Sequence, residues 1–435
     1  MHIFFSGIGG TAIGPLAMIA HQLGHHVSGS DKQQSRYLDY LREHGISNIH
    51  VGQTIENISS LHQKQPIDWY VYSSAVMIEN PQAPELEFCR RQGIRMSKRD
   101  ELLNQVLQDA NLKLIAIAGT HGKTTTTAMA VWLLKQIGIP ISYSLGAKTS
   151  FSDMGEYVPG SEYFVYECDE FDHNFLSFSP HISLITGIDW DHPDIYPSQQ
   201  EYDAAFQQFI GQSRTVVTWQ DDLPHIKSAL QNHADSHVLD PADKHIDKIT
   251  LPGLVNRLNA WQVIQAARQL HQTDLETLID HMNRFPGLSR RFEQITPGLY
   301  SDYAHTPPKI NGALQQAKEL AGDRVVVVYE GLHNTRQHFI RDELATLFDE
   351  VKQLYVVPSY LAREDPSLAL LSPTDLIDRM SQQTRSHAAP AQLDESLRRH
   401  IEQHLQSGDS VVCITAGGGG SLDEWLRAQF TDAPS

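Results

Sequence analysis

Ala118-Gly-Thr-His-Gly-Lys-Thr-Thr-Thr-Thr127 follows an apolar, strand-type run, Leu114–Ala118, and opens a helical pattern over Thr127–Ile137. A strand, a tight glycine turn and a helix N-terminus together make an anion site, because unpaired backbone N–H groups converge there. Lys123 adds a point charge for β- and γ-phosphates, and the Thr124 hydroxyl is of the kind that ligates Mg²⁺. The turn is shorter than the general phosphate loop, with Ile117 where the first glycine would stand. Gly119, Thr120, His121, Gly122, Lys123, Thr124 and Thr125 are therefore the candidate nucleotide-phosphate residues.

Upstream lies a first block, residues 1–107. His2–Ser6 reads as a strand, Gly7-Ile-Gly-Gly-Thr-Ala-Ile-Gly14 as a glycine turn into a helix over Pro15–Leu23, and His26–Ser28 as a second strand. The spacing Gly7-x-Gly9-x-x-Ala12, with Asp31 about 20 residues on, fits a Rossmann-type turn in which a pyrophosphate sits on a helix N-terminus. Trp69–Val76 reads as a further strand with a polar tip at Ser73. A dinucleotide and a UDP-sugar satisfy this pattern equally.

Downstream, residues 108–285 form a second block. Tyr163–Glu167 reads as a strand running into the carboxylate cluster Glu167-Cys-Asp169-Glu170-Phe-Asp172, and Ile182–Ile188 as a strand running into Asp189-Trp-Asp191-His192. Oxygen-rich strand ends beside a phosphate loop suit Mg²⁺, which prefers oxygen ligands. Asn256 and Asn259, near the start of a helix, either read a base edge or cap that helix. The third block, 286–435, enters through Arg290-Arg291-Phe292, carries Asp302-Tyr-Ala-His305-Thr-Pro307, and reads as a strand over Arg324–Tyr329, a helix over Phe339–Phe348, strands over Gln353–Pro358 and Ser410–Thr415, then Ala416-Gly-Gly-Gly-Gly420 and a helix over Leu422–Ala428. Alternating strands and helices predict parallel sheets covered on both faces.

The balance of 34 basic against 52 acidic residues, net −18, disfavours broad nucleic-acid binding, which needs a basic face. The three cysteines, Cys89, Cys168 and Cys413, show neither a disulfide framework nor a C-x-x-C metal site, and suit a reducing cytoplasm. No apolar run reaches the ~18 residues of a membrane span.

Together, Gly-Thr-His121-Gly-Lys-Thr, Gly7-Ile-Gly-Gly10, Gly29-Ser-Asp31, Tyr72-Ser-Ser-Ala-Val76, Glu79-Asn-Pro81, Glu167-x-Asp-Glu170-x-Asp172 and Arg290-Arg291-Phe292 resemble the Mur ligase family over essentially the whole chain. His121 resembles the branch that adds L-alanine and its peptide-adding relatives. The resemblance implies an α/β protein of three domains: a Rossmann-like UDP-sugar domain (1–107), a central ATP domain with a mostly parallel sheet (108–285), and a Rossmann-like acceptor domain (286–435). It implies ATP-dependent ligation of L-alanine to the lactyl carboxylate of UDP-N-acetylmuramate through an acyl phosphate, in the cytoplasm, for peptidoglycan precursor synthesis. The alternative it leaves open is attachment of a recycled murein peptide or another amino acid.

Carried over residue by residue, the resemblance gives Lys123, Glu167, His192 and Arg291 the catalytic roles. Thr124, Glu167 and His192 become Mg²⁺ ligands. Asn256, Arg291 and Asp302 join the phosphate loop in holding ATP. Gly7, Gly9, Gly10, Asp31 and Ser73 fall on the UDP-sugar, and His305 and Arg336 on the acceptor. It implies a monomer or homodimer with no nucleic-acid or membrane partner, and hinge motion between domains. Departures from the usual pattern are Thr306 for a second His, Val255 for a His, Gly187 for an Asn, and Glu330-Gly-Leu-His-Asn-Thr-Arg336-Gln-His338 where a Gln-Pro-His-Arg type segment usually stands.

Overall fold

The structure, a computed structural model, describes residues 1–431 except 74, 75, 78, 79, 193, 194, 232, 234, 362 and 363. Ser74, Ala75 and Glu79 of the family-like motifs therefore lie outside the described residues.

Contacts group the chain into two units: Met1–Ile249 with Leu258–Pro286, and Thr250–Arg257 with Gly287–Ser435. The first unit holds two sheets. One has five strands in the order Asn48–Val51, His26–Asp31, His2–Ser6, Trp69–Tyr72, Arg95–Lys98, all parallel. The other has seven, in the order Ser236–Leu239, Thr215–Trp219, Ile182–Ile185, Lys113–Ala118, Tyr163–Glu167, Ile141–Ser144, Gly155–Glu156, parallel except for the last pair. The central strands are buried along nearly their whole length, as apolar runs covered on both faces must be.

One hydrophobic core runs through both sheets, from Ile3 and Phe5 to Phe206 and Leu230. Gly155 packs so closely on Pro15 that a Cβ there would lie 2.7 Å from the proline Cβ. Gln22 accepts the Tyr157 N–H at 2.6 Å, and Asn104 donates to the Ser177 carbonyl at 2.7 Å.

The second unit is a six-stranded sheet in the order Glu293–Thr296, Leu299–Asp302, Ser410–Ile414, Val325–Leu332, Gln353–Tyr360, Ala388–Pro390, antiparallel only at its first pair. Three sheets of parallel-dominated α/β architecture match the expected fold class.

Local boundaries differ in instructive places. The helix expected from Thr127 starts at Lys123, because Gly122, at φ +79°, turns the chain directly into it. Thr127 is accommodated by donating its hydroxyl back to the Lys123 carbonyl at 2.8 Å. The strand expected over Trp69–Val76 ends at Tyr72. The single helix expected over Phe339–Phe348 is instead two short ones, Asn334–Phe339 and Arg341–Leu344. Buried Asn334 sets the earlier start: its amide oxygen accepts from Leu371 N at 2.9 Å and its amide nitrogen donates to the Ala369 carbonyl at 3.1 Å. Among the described residues, no helix is long and apolar enough to cross a membrane, and the three cysteines are free and buried.

Candidate active site

The phosphate loop sits at the C-terminal end of the strand Lys113–Ala118, flanked by Ile182–Ile185 on one side and Tyr163–Glu167 on the other. Register puts Ile117 opposite Glu167 and Ala118 opposite Ile185, so both carboxylate-bearing strand ends arrive at the loop. Gly119 takes φ +138°, and a Cβ there would lie 2.4 Å from Thr186 Oγ1. Thr120 donates its N–H to the Gly187 carbonyl at 2.9 Å, and its hydroxyl reaches the Asp189 carbonyl at 2.7 Å and the Tyr202 hydroxyl at 2.8 Å. Gly119→Ala therefore combines a strained φ with a backbone-side clash and is expected to destabilise the chain by ~2–4 kcal/mol. Thermal unfolding with and without ATP checks it; an unchanged midpoint in both would refute the assignment of this loop.

The carboxylates divide among distinct partners. Lys123 Nζ lies 2.6 Å from Glu170 Oε2 and 2.7 Å from the Gly119 carbonyl. Burial opposes both charges, yet the neighbouring carboxylates hold Lys123 above its ordinary pKa, and Lys123 with His192 holds Glu170 below its own. Thr124 donates to Glu167 Oε1 at 3.2 Å. Asp169 pairs with Arg99 at 3.5 Å, and Asp172 with Lys98. His192 stands at φ +57°, with Nε2 3.7 Å from Glu170 Oε1 and 3.9 Å from Asp191 Oδ2. Burial disfavours its charge, but these carboxylates raise its pKa overall. His121 Nε2 is 3.7 Å from Asp189 Oδ2. Asp172, His173 and His192, all with positive φ, cluster here, which is the kind of strain that marks functional sites.

At the first sheet, the glycine turn and Asp31 meet. Gly7 and Ile8 donate to the Ser30 carbonyl, Gly10 N donates to Gly7 O at 3.0 Å, and Gly9 N donates to Asp31 Oδ2 at 2.8 Å. A Cβ on Gly9 would sit 2.9 Å from that carboxylate oxygen. Ser73 follows the strand Trp69–Tyr72, its carbonyl accepting from Val76 N at 3.0 Å.

In the second unit, Arg290 and Phe292 both have positive φ and flank Arg291. The Arg290 and Arg291 guanidiniums lie 4.6 and 5.2 Å from the Tyr303 ring centroid. Asp302 Oδ2 accepts the Phe292 N–H at 2.7 Å. Burial pushes the Asp302 carboxyl up to about 6, against the pull of Arg291. The folded chain thus holds this proton more tightly than an ordinary carboxyl at 3.8, so the group's stabilising contribution is full below 3.8 and is lost as pH rises through about 6. Asp302→Asn is expected to remove a swing of roughly 3 kcal/mol in relative stability between acid and neutral pH. Urea unfolding of both proteins across that range checks it; a constant difference would refute it.

Burial, with Lys309, Arg336 and Arg291 nearby, pushes the His305 imidazole down to about 3, so it is neutral, with Nδ1 3.0 Å from the Tyr303 carbonyl. Asn256 donates its amide N–H to the Pro252 carbonyl at 2.9 Å. His338 Nε2 lies 2.8 Å from the Ala369 carbonyl.

The chain matches the Mur ligase family, catalytic domain, over residues 2–110, the Mur ligase middle domain over 117–251, and the Mur ligase, glutamate ligase domain over 290–417. A UDP-N-acetylmuramate–L-alanine ligase of Renibacterium salmoninarum is 32% identical over 399 residues, spanning 84% of this chain and 83% of that protein. The chain belongs to the Mur ligase family. Two solved structures share the fold: the UDP-N-acetylmuramate–alanine ligase MurC of Thermotoga maritima, at TM-score 0.74 and 24% identity over 96% of each chain, and a murein peptide ligase of Psychrobacter arcticus, at TM-score 0.64 and 22% identity over 100% of each.

Against the usual Mur ligase pattern, three departures acquire a setting. Gly187 has φ +135° and open space where a Cβ would stand. Val255 is about half exposed. Glu330, at the head of the departing segment, is buried: it accepts from the Thr415 hydroxyl and from Leu422 N at 2.9 Å, bracing the glycine turn 416–420. Sequence reading named Glu170 and Asn259 without what they meet, and missed Asp222. Glu170 was visible in the cluster but not as the partner of Lys123. Asn259 packs on the loop, 3.1 Å from where a Gly122 Cβ would be. Asp222 accepts the Ile188 N–H at 3.0 Å from 34 residues away, and no local pattern announces it.

Proposed function

We propose that this Mur ligase joins L-alanine to the lactyl carboxylate of UDP-N-acetylmuramate, with ATP as the energy source. What carries the reading is a phosphate loop whose lysine and threonine each face a glutamate, in a chain similar over 84% of its length to an enzyme named for that reaction. Gly7, Gly9, Gly10, Asp31 and Ser73 take the UDP-sugar. The loop 119–125 takes the phosphates of ATP.

Two anions must meet at the γ-phosphate, and preorganised positive charge lowers that barrier. Lys123 supplies it from the loop. The sugar carboxylate oxygen bonds to the γ-phosphorus and ADP leaves. The amine of L-alanine then adds to the acyl carbon, loses a proton, and phosphate leaves. The hydroxyl of Thr124 and the carboxylate of Glu167, 3.2 Å apart beside the loop, are the hard oxygen donors that a first Mg²⁺ prefers, and Glu167 with His192 would hold a second. Mg²⁺ held there supplies further positive charge against the phosphate oxygens. His305, a neutral imidazole, and Arg336 orient the acceptor, Arg336 by its charge on the carboxylate. Arg336→Ala is expected to raise the acceptor KM by ~30-fold or more while the unfolding midpoint holds, the loss of a charge-assisted hydrogen bond.

Phosphate release with ATP, Mg²⁺ and UDP-N-acetylmuramate, scanned over L-alanine, glycine, L-serine and the stem tripeptide, tests the reading. Release far above the rest with L-alanine is the expected result. Release only with the tripeptide would replace it with peptide attachment.

A further inference from the structure

We propose that Glu170 is a positioning residue that aims the Lys123 ammonium at a nucleotide phosphate. The inference rests on the ATP-using half of the function above and is independent of the acceptor. A lysine ammonium has three N–H donors on a flexible stem. Here the Gly119 carbonyl takes one at 2.7 Å and Glu170 Oε2 a second at 2.6 Å. One donor is left, and the side chain keeps an opening to solvent, at 14% exposure.

Glu170 is itself held rigidly. It is 1% exposed, and its carbonyl accepts from the Tyr196 hydroxyl at 2.6 Å. Tyr196 packs edge-on against Tyr202 at 4.9 Å, and the Tyr202 hydroxyl lies 2.8 Å from Thr120 Oγ1 in the phosphate loop. The same pair of tyrosines therefore anchors both the Glu170 backbone and the loop that carries the lysine. The second carboxylate oxygen faces His192 Nε2 at 3.7 Å.

By charge alone, Glu170 repels a nucleotide phosphate. By positioning Lys123, it favours one. The two effects have opposite sign, and they separate when Lys123 is removed, because coupled residues are non-additive.

ATP–Mg²⁺ binding by calorimetry on the full chain reads this out, for the unaltered protein, Glu170→Ala, Lys123→Met and the double variant, each with its unfolding midpoint. Glu170→Ala is expected to weaken ATP binding by about tenfold when Lys123 is present, the order of one charge-assisted hydrogen bond. In the Lys123→Met background the same change should leave binding unchanged or tighten it. Equal weakening in both backgrounds, or none with Lys123 present, would overturn the proposal. Should Glu170→Ala fail to fold, Glu170→Gln, which keeps the shape, is read the same way with a smaller loss of about threefold. Absence of ATP binding by the unaltered protein overturns this proposal and the ATP reading together. Binding of ATP without phosphate release on L-alanine overturns the acceptor reading alone.

Discussion

Lys123→Ala is expected to reduce phosphate release by about 10²–10³-fold with ATP and both other substrates saturating, the magnitude typical of losing one preorganised charge at a reacting centre. The same substitution should also lower stability. Glu170, 1% exposed, loses the cation 2.6 Å away and keeps its charge in a buried place. Breaking one side of a buried pair costs ~3–5 kcal/mol. The paired outcome distinguishes this lysine from a surface cation, whose removal would shift neither quantity by much. Kinetics and urea unfolding on one preparation check it, and full turnover in the variant would remove the phosphate loop from the mechanism.

Glu330→Ala is expected to give the opposite profile. Its carboxylate accepts from Thr415 Oγ1 and from Leu422 N, the first residue of the helix Leu422–Phe430. Burial raises its pKa, and those two donors hold it back. Removing it strands a buried N–H and a buried hydroxyl, so stability should fall by ~2–4 kcal/mol. The acceptor KM of the folded fraction should stay near that of the unaltered protein. Arg336→Ala should raise that KM and leave stability alone. The two residues are six positions apart in a single motif-like segment, so a reversed pair of results would show that Glu330 touches the acceptor and Arg336 the frame. Acceptor titrations and denaturant melts of both variants settle which holds.

Much of the architecture is legible without coordinates, because its signals are contiguous. Buried parallel strands are written as short apolar runs, and the glycine turns mark where they end. The anion site at Gly119–Thr125 is legible for the same reason: strand, turn and helix start follow one another along ten residues. At one place where the expectations slipped, a distant partner had intervened. In place of one helix at Phe339–Phe348, a first short helix starts at Asn334, because Asn334 is tied to Ala369 and Leu371 on a segment some 35 residues on. Periodicity carries no trace of such a tie.

The candidate site divides along the same line. The residue types were evident: a lysine, a threonine, an acidic cluster and a histidine after Asp-x-Asp. The pairing was not. Glu167, Asp169, Glu170 and Asp172 stand within six residues, and nothing in their order says that Glu167 meets Thr124, Glu170 meets Lys123, Asp169 meets Arg99 and Asp172 meets Lys98. Those partners lie 43 to 74 residues away along the chain. They are chosen by strand order, which sets Tyr163–Glu167 beside Lys113–Ala118 with Glu167 opposite Ile117. The sequence by itself thus determined the alternating α/β layers and the phosphate-binding turn, because both arise from neighbours in the chain. Only the tertiary structure decided which carboxylate meets the loop threonine, which meets the lysine and which two tie the sheets together, because a hydrogen bond or an ion pair depends on distance in space and on burial, and both are properties of the folded sheet.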